Sequence, residues 1–402
     1  MDASSDLSYQ LELIIKRVFR IEDTTLGDQK AGYLVRYHGQ LLLDSIEAYD
    51  RLATALKPLE VTPLFRMEGK RQTILIVEGI QKLKPSNPRT NLIFFLLTVI
   101  SVWFTGGMLA IQKIPIGFGN LVWAIITQGW PFALSFLTIL SAHEFGHYFA
   151  GRRHHTLVSL PYFLPLPYPL SPFGTFGAFI NMKEIPRNRR VLMDIAVTGP
   201  LAGLIVSIPV LLIGLSLSTL NTLPAQPSVD GTGLIQLEGN SILYLLAKLA
   251  VFGKLLPQPA SYGDLSPLLY WLRSFFTGTP LPYGGLDVSI HPVAWAGWGG
   301  LLITALNLIP AGQLDGGHIF STLFSNQFAR KVLPVLFFIL IGLGFFWSGW
   351  WLWAILIFFL GRLQAQPLDQ ITQLDPKRKI LAAVMLIVFI LVFTPIPLVV
   401  MP

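Results

Sequence analysis

The chain has 402 residues, 52% of them hydrophobic and only 13% charged, with a formal net charge of +7. Soluble globular chains carry about a quarter charged residues, so the long apolar runs here point to a membrane protein. Cysteine is absent, which excludes disulfides and thiolate metal sites, and no basic stripe with interleaved aromatics marks a nucleic-acid partner.

The first ten residues, MDASSDLSYQ, are polar and lack the basic-then-apolar plan of a signal peptide, so insertion is expected to start at an internal span. Residues 1–85 read as a small soluble α+β domain on the cytoplasmic side. Leu11–Val18 suits a short helix and Gly32–Leu43 is β-like. Asp44-Ser45-Ile46-Glu47 offers a cap for a helix with Ile46, Tyr49, Leu52, Ala53 and Leu56 at helical spacing. Leu64–Met67 and Gln72–Val77 read as strands joined through Glu68-Gly69-Lys70. Residues 85–91 form a polar linker, with Lys82, Lys84 and Arg89 nearby.

Beyond the linker the reading is an all-α polytopic membrane protein. Hydropathy predicts about seven spans, near 91–111, 124–151, 191–218, 291–314, 331–348, 349–363 and 380–399. The core would occupy 90–365, and 366–402 would hold a C-terminal transmembrane helix. With seven spans, the pairs Arg152/Arg153 and Arg330/Lys331, the cluster Lys183–Arg190 and Lys377–Lys379 all fall on one side, the cytoplasmic one. Segment 241–256 is apolar but holds Lys248 and Lys254. Full crossing there would move the later basic clusters to the wrong side, so it reads as re-entrant or interfacial.

Ionisable groups inside apolar spans are costly and normally have a partner or a function. Glu144, Asp194 and Asp315 are such groups, together with His143, His147 and His318. His143-Glu144-Phe145-Gly146-His147 fits H-E-x-x-H. On a helix, residues i and i+4 share a face, so both imidazoles can reach one zinc, with Glu144 beside them to take a proton from water. The pattern arises by accident in on the order of one chain in a hundred of this size, and less often inside a span. A catalytic zinc commonly takes three protein ligands and leaves a position open. Asp315 is the only carboxylate in its span, and Pro310 with the neighbouring glycines can turn it inward. The alternative is a Pro-kinked span capped by Asp-Gly-Gly, and His318 is the reserve ligand. The His pair on another span favours Asp315 as the ligand.

These motifs make the sequence resemble the site-2 protease family of intramembrane zinc metalloproteases. That family pairs H-E-x-x-H with N-x-x-P-x-x-x-x-D-G, here Asn307–Gly316, and carries a G-x-x-x-G-like stretch, here Gly199–Gly203. HEFGHYFAGRRH, SPFGTFGAFINMKE, DIAVTGPLAG and NLIPAGQLDGGH are closest to the plastid and cyanobacterial branch known for ethylene-dependent gravitropism-deficient and yellow-green proteins. Where that branch usually has Arg, this chain has His318. The resemblance implies hydrolysis of peptide bonds in or near transmembrane segments, with single-span membrane proteins as substrates and the lipid bilayer as surroundings. It implies that Asn307 hydrogen-bonds substrate or steadies the tetrahedral intermediate. It also implies that Gly174, Thr175, Phe176 and Gly177 belong to a membrane-dipping β-loop that binds substrate. The host would be a cyanobacterial plasma or thylakoid membrane, ahead of a plastid one.

A transporter lining its path with the same ionisable groups, or an inactive scaffold, are the rivals. The i, i+4 His pair enclosing Glu144 favours hydrolysis, and no ligand or base is missing. Asp194 reads as an ion-pair or cap partner of Arg189 and Arg190. His154 and His155 read as solvated, and His38 and His291 have no evident companions.

Overall fold

The computed structural model describes residues 3–27, 32–79, 87–111, 115–226, 235–363 and 365–401. Lys82, Lys84 and residues 85 and 86 of the predicted linker lie outside them, while 88–91, read as linker, already belong to the first long helix.

The N-terminal α+β region runs α1 (Ala3–Ile15), β1 (Phe19–Leu26), β2 (Val35–Leu41), α2 (Ser45–Leu56), β3 (Val61–Glu68) and β4 (Arg71–Glu78). The strands form one antiparallel sheet in the order β1-β2-β4-β3. Asp44 caps α2 as its sequence suggests, accepting from the Ile46 amide at 3.1 Å. Leu11, Phe19, Tyr37, Leu52, Phe65 and Ile74 are among the residues filling the core between helices and sheet. Strand β1 has no counterpart in the sequence reading. It is an edge strand whose only buried side chain is Phe19, so it shows no apolar alternation to read. His38 has companions after all: its Nδ1 is 3.0 Å from the Thr73 hydroxyl and its Nε2 is 3.6 Å from Glu68.

A later segment completes this sheet. The Phe65 amide donates to the Leu368 carbonyl at 2.9 Å, and the Gln370 amide donates to the Phe65 carbonyl at 3.1 Å. Leu368 and Ile371 pack on the N-terminal core. The other side of the same segment is held by Asp369, whose amide donates to the Arg187 carbonyl at 2.7 Å.

The helical body follows. It contains α3 (Pro88–Ala110), α4 (Phe118–Arg153), the hairpin β5 (Tyr162–Pro165) and β6 (Thr175–Phe179), and α5 (Arg189–Ser216). Then come β7 (Thr219–Thr222), β8 (Ile235–Glu238), α6 (Ile242–Phe252), α7 (Pro267–Thr277) and β9 (Leu286–Ser289). The chain ends with α8 (Pro292–Asn307), α9 (Asp315–Leu323), α10 (Asn326–Gly344), α11 (Gly349–Leu360), α12 (Pro376–Val392) and β10 (Leu398–Met401). Among the described residues, four helices are long and apolar enough to cross a membrane: α3, α4, α5 and α10. Helices α8, α11 and α12 have 16, 12 and 17 residues, and at about 1.5 Å per residue each falls short of a hydrocarbon core of about 30 Å. At 11 residues α6 is shorter still.

Two polar knots hold the body together. Asp194 on α5 receives Arg378 of α12 in a fork, at 2.7 Å from Nε and 2.5 Å from Nη2. His154, just past α4, reaches the same carboxylate at 2.9 Å. Asp194 is therefore an ion-pair residue, but its partners are Arg378 and His154 rather than Arg189 and Arg190, and His154 is not a free solvated side chain. At the opposite end, β7 pairs with β9 and β8 with β10. There the fully buried Lys248 ammonium lies 3.9 Å from both Glu238 and Asp287 and 4.5 Å from the Tyr244 ring centre. Trp298 of α8 donates to the Gly239 carbonyl beside it at 2.8 Å.

Candidate metal centre and active site

Helix α4 positions the first part of the site. His143 and His147 stand one turn apart and present their rings to the same side, with the two Nε2 atoms 3.2 Å apart. The His147 Nδ1 lies 2.7 Å from the Ile195 carbonyl of α5. Only an N–H can occupy that contact, so the proton sits on Nδ1 and the Nε2 lone pair faces the site. Glu144, between the two, is also buried.

The second part comes from a break in the helical body. α8 ends at Asn307, and α9 begins at Asp315. Pro310 has no amide hydrogen to continue the helix, and Gly312 takes a left-handed φ of +57° in the connecting turns. The turns are packed so tightly that a Cβ on Gly316 would come within 2.0 Å of the Leu308 carbonyl oxygen. The outcome is that Asn307 and Asp315, eight positions apart, face the same space. The Asp315 Oδ2 is 3.4 Å from the His143 Nε2 and 3.3 Å from the His147 Nε2. The Asn307 amide nitrogen is 3.4 Å from the His143 Nε2.

The three separations test whether the site suits an ion. Ligand atoms about 2.0–2.1 Å from a tetrahedral zinc lie about 3.3 Å from one another. The observed spacings of 3.2, 3.3 and 3.4 Å match that triangle. Among the described residues, His143, His147 and Asp315 are the group able to share one ion.

Helix α5 crosses directly behind the imidazoles, and its glycines permit this. A Cβ on Gly199 would fall 2.0 Å from the His147 Nε2, and one on Gly203 would fall 3.2 Å from the His143 Nδ1. The G-x-x-x-G-like stretch thus does more than bring two helices together: it leaves room for the rings themselves.

A cavity of about 210 Å³ opens onto these groups, and Glu144, Asn307 and Asp315 all line it. The hairpin reaches it through Ala178, Phe179 and Ile180. Gly174, Thr175, Phe176 and Gly177 are not among its lining residues. Gly174 packs on α3, where a Cβ would lie 2.6 Å from the Val102 Cα. The Thr175 hydroxyl donates to the Leu164 carbonyl at 2.6 Å, and Phe176 is 71% exposed. His318 lies inside the site: it is buried, lines the cavity and has an Nδ1 without a hydrogen-bond partner among the described residues. It stands one helical turn after Asp315, which reading 315–323 as a new helix would have revealed. Met182 and Gln313 also line the cavity, and no sequence pattern marks them.

A match to the family described as Peptidase family M50 covers residues 131–345, more than half of the chain. The chain belongs to this family, that of the site-2 proteases. Its relatives include proteins of the gravitropism-deficient and yellow-green branch. The "Probable zinc metalloprotease EGY2, chloroplastic" of Arabidopsis thaliana is 29% identical over 316 residues, 75% of this chain and 50% of that protein. The rice protein of the same name (Oryza sativa subsp. indica) is 28% identical over 314 residues, 75% of this chain and 51% of that protein. "Probable zinc metalloprotease EGY1, chloroplastic" of Arabidopsis thaliana is 29% identical over 282 residues, 69% of this chain and 45% of that protein. The chain therefore spans about half the length of the curated relatives it matches. No solved structure matches it.

Proposed function

We propose that this chain is a zinc-dependent intramembrane endopeptidase that cuts membrane proteins in or near their transmembrane segments. The observation that carries this reading is the tetrahedral spacing of His143, His147 and Asp315 beside Glu144 at one cavity. Those three residues would hold zinc, which when bound supplies Lewis acidity at the peptide carbonyl and makes water a better acid. Glu144 takes the proton of the attacking water and returns it to the leaving amine. The Asn307 amide donates to the carbonyl oxygen as negative charge builds there. The walls from α4, α5 and the hairpin keep bulk water away and strengthen each of these contacts.

The substrate is taken to be a single-span protein whose helix opens before cleavage. An extended stretch of it would pair with the hairpin edge that includes Gly174, Thr175, Phe176 and Gly177 and be led toward Ala178–Ile180. The hairpin would then be the membrane-dipping loop, α6 a re-entrant segment, and α8, α11 and α12 the further spans that bring the count to seven. We assign residues 1–85 to a cytoplasmic-side domain, 90–365 to the protease core and 366–402 to a C-terminal helix. The chloroplast in the relatives' names gives a plastid membrane more weight beside a cyanobacterial plasma or thylakoid membrane.

The test uses purified protein in liposomes with a single-span reporter, and zinc measured in parallel. Glu144→Gln is expected to lower cleavage roughly a hundred- to ten-thousand-fold while zinc stays near one per chain. Cleavage at the parent rate would refute the base assignment. Parent protein that folds without zinc would refute the metal.

A further inference from the structure

Basic residues at the cytoplasmic ends of spans are expected from topology alone. Arg330 and Arg362 go beyond that expectation because of what lies beneath them. Helices α10 and α11 enclose a groove of about 530 Å³ whose walls include Phe337, Phe338, Ile357 and Phe358, and both guanidiniums stand among its lining. Its surface is otherwise apolar, on two helices where Phe338 and Phe358 are also exposed outward.

Arg330 also lines a second cavity, of about 440 Å³, that is polar. Its walls include Arg189, Ser325, Asn326, Gln327 and Gln370. No carboxylate side chain among the described residues lines either space. Among the described residues, Arg189, Arg330 and Arg362 have no carboxylate within 4.0 Å. Arg189 is half-buried, and its one hydrogen bond goes to the uncharged Thr322 carbonyl. Asp369 acts on this partly desolvated guanidinium only from beyond ion-pair distance, which leaves its charge incompletely balanced.

An apolar groove and an acid-free polar cavity that share one arginine match the two halves of an anionic glycerolipid. We propose that this face binds such a lipid specifically. Its phosphate would lie between Arg330 and Arg362, its polar headgroup toward Arg189 and Gln370, and an acyl chain along α10 and α11. Two guanidiniums can donate forked hydrogen bonds to a phosphate, which a zwitterionic lipid accepts less well because its own ammonium competes. The position also bears on the protease site. Leu192 lines both the polar cavity and the cavity of the metal centre, and Thr322 belongs to α9, the helix that begins with Asp315.

The proposal rests on α10 and α11 lying in a bilayer, as the functional reading has it, but not on the metal chemistry. Glu144→Gln protein must therefore bind lipid as the parent does, whatever becomes of cleavage. The full chain in an uncharged detergent would be titrated with dioleoyl phosphatidylglycerol, dioleoyl phosphatidylcholine or glycerol phosphate, and adducts counted by native mass spectrometry. We expect phosphatidylglycerol to bind at least tenfold more tightly than phosphatidylcholine, and glycerol phosphate not to compete. Arg330→Gln with Arg362→Gln should remove that preference, the corresponding double Lys variant should keep at least half of the adduct, and Lys377→Gln should change nothing. Equal binding of the two lipids, or a preference that survives the double Gln variant, would overturn the site. Full competition by glycerol phosphate would make it a soluble-phosphate site and overturn the lipid.

Discussion

The helical body buries two clusters of ionisable side chains, and they solve the same problem in opposite ways. At Lys248, two carboxylates approach a cation that the chain itself provides, at 3.9 Å each. At His143, His147 and Asp315, lone pairs converge at 3.2–3.4 Å and the chain provides no fixed cation. Each acidic group in the first cluster has its counterion built in, and the tyrosine hydroxyl of Tyr244 adds a hydrogen bond to Glu238 at 2.7 Å. The second cluster could hold an ion from outside. A cavity of about 210 Å³ lies beside it, against one of about 40 Å³ beside Glu238 of the first. A built-in cation makes the first cluster a structural joint, whereas the second would serve as a site for an ion, as the functional reading has it.

Three predictions sharpen this contrast. The largest effect is expected from Gly199→Ala, because the new methyl would meet the His147 Nε2 at 2.0 Å. Bound zinc, read by metal analysis of purified protein, should fall at least tenfold. Gly203→Ala places its methyl 3.2 Å from the His143 ring, which can give way slightly, so most of the zinc should remain. Equal losses in the two variants would mean that the glycines serve helix packing alone. Next comes Lys248→Met, which leaves Glu238 and Asp287 buried without their cation. Removing one partner of a buried ion pair costs about 3–5 kcal/mol, seen here as a lower thermal midpoint, with zinc in the surviving folded fraction unchanged.

The smallest effect concerns pH. Burial pushes the Glu238 carboxyl up to about 7, with Lys248 pulling it down and Asp287 pushing it up, and burial raises Asp287 as well. A raised carboxyl means that the folded state holds a proton the unfolded chain gives up. Its contribution is therefore full below about pH 4.5 and is lost as pH rises through about 7. Thermal midpoints should fall between pH 6 and pH 8 by more in the parent than in Glu238→Gln. An unchanged slope in that variant would assign the titration elsewhere.

How much was legible in the sequence follows from how far apart the partners lie. His143, Glu144 and His147 fall within one helical turn, so helix geometry alone groups them. Asp315 and Asn307 needed the break at Pro310 and the glycines to be recognised. The family resemblance supplied Asn307's role and strengthened the choice of Asp315. Glu238, Lys248 and Asp287 were invisible as a cluster because short strands and a short helix bring them together without any shared period. The Asp194 knot joins the ends of three helices, and sequence proximity suggested the wrong arginines. For the hairpin, the aromatic and glycine alternation signalled an extended segment. Which of its residues would reach the cavity depends on how β6 leans on α3 and α4, and no local pattern encodes that.

The segment 368–370 that pairs with β3 has a consequence for biosynthesis. Arg66 donates to the Pro367 carbonyl at 3.0 Å across 301 positions of sequence. The edge of β3 therefore stays open until a segment 301 positions further along the chain has been made. Closing that edge stitches the amino-terminal region to the helical body only once α3 through α11 have been made.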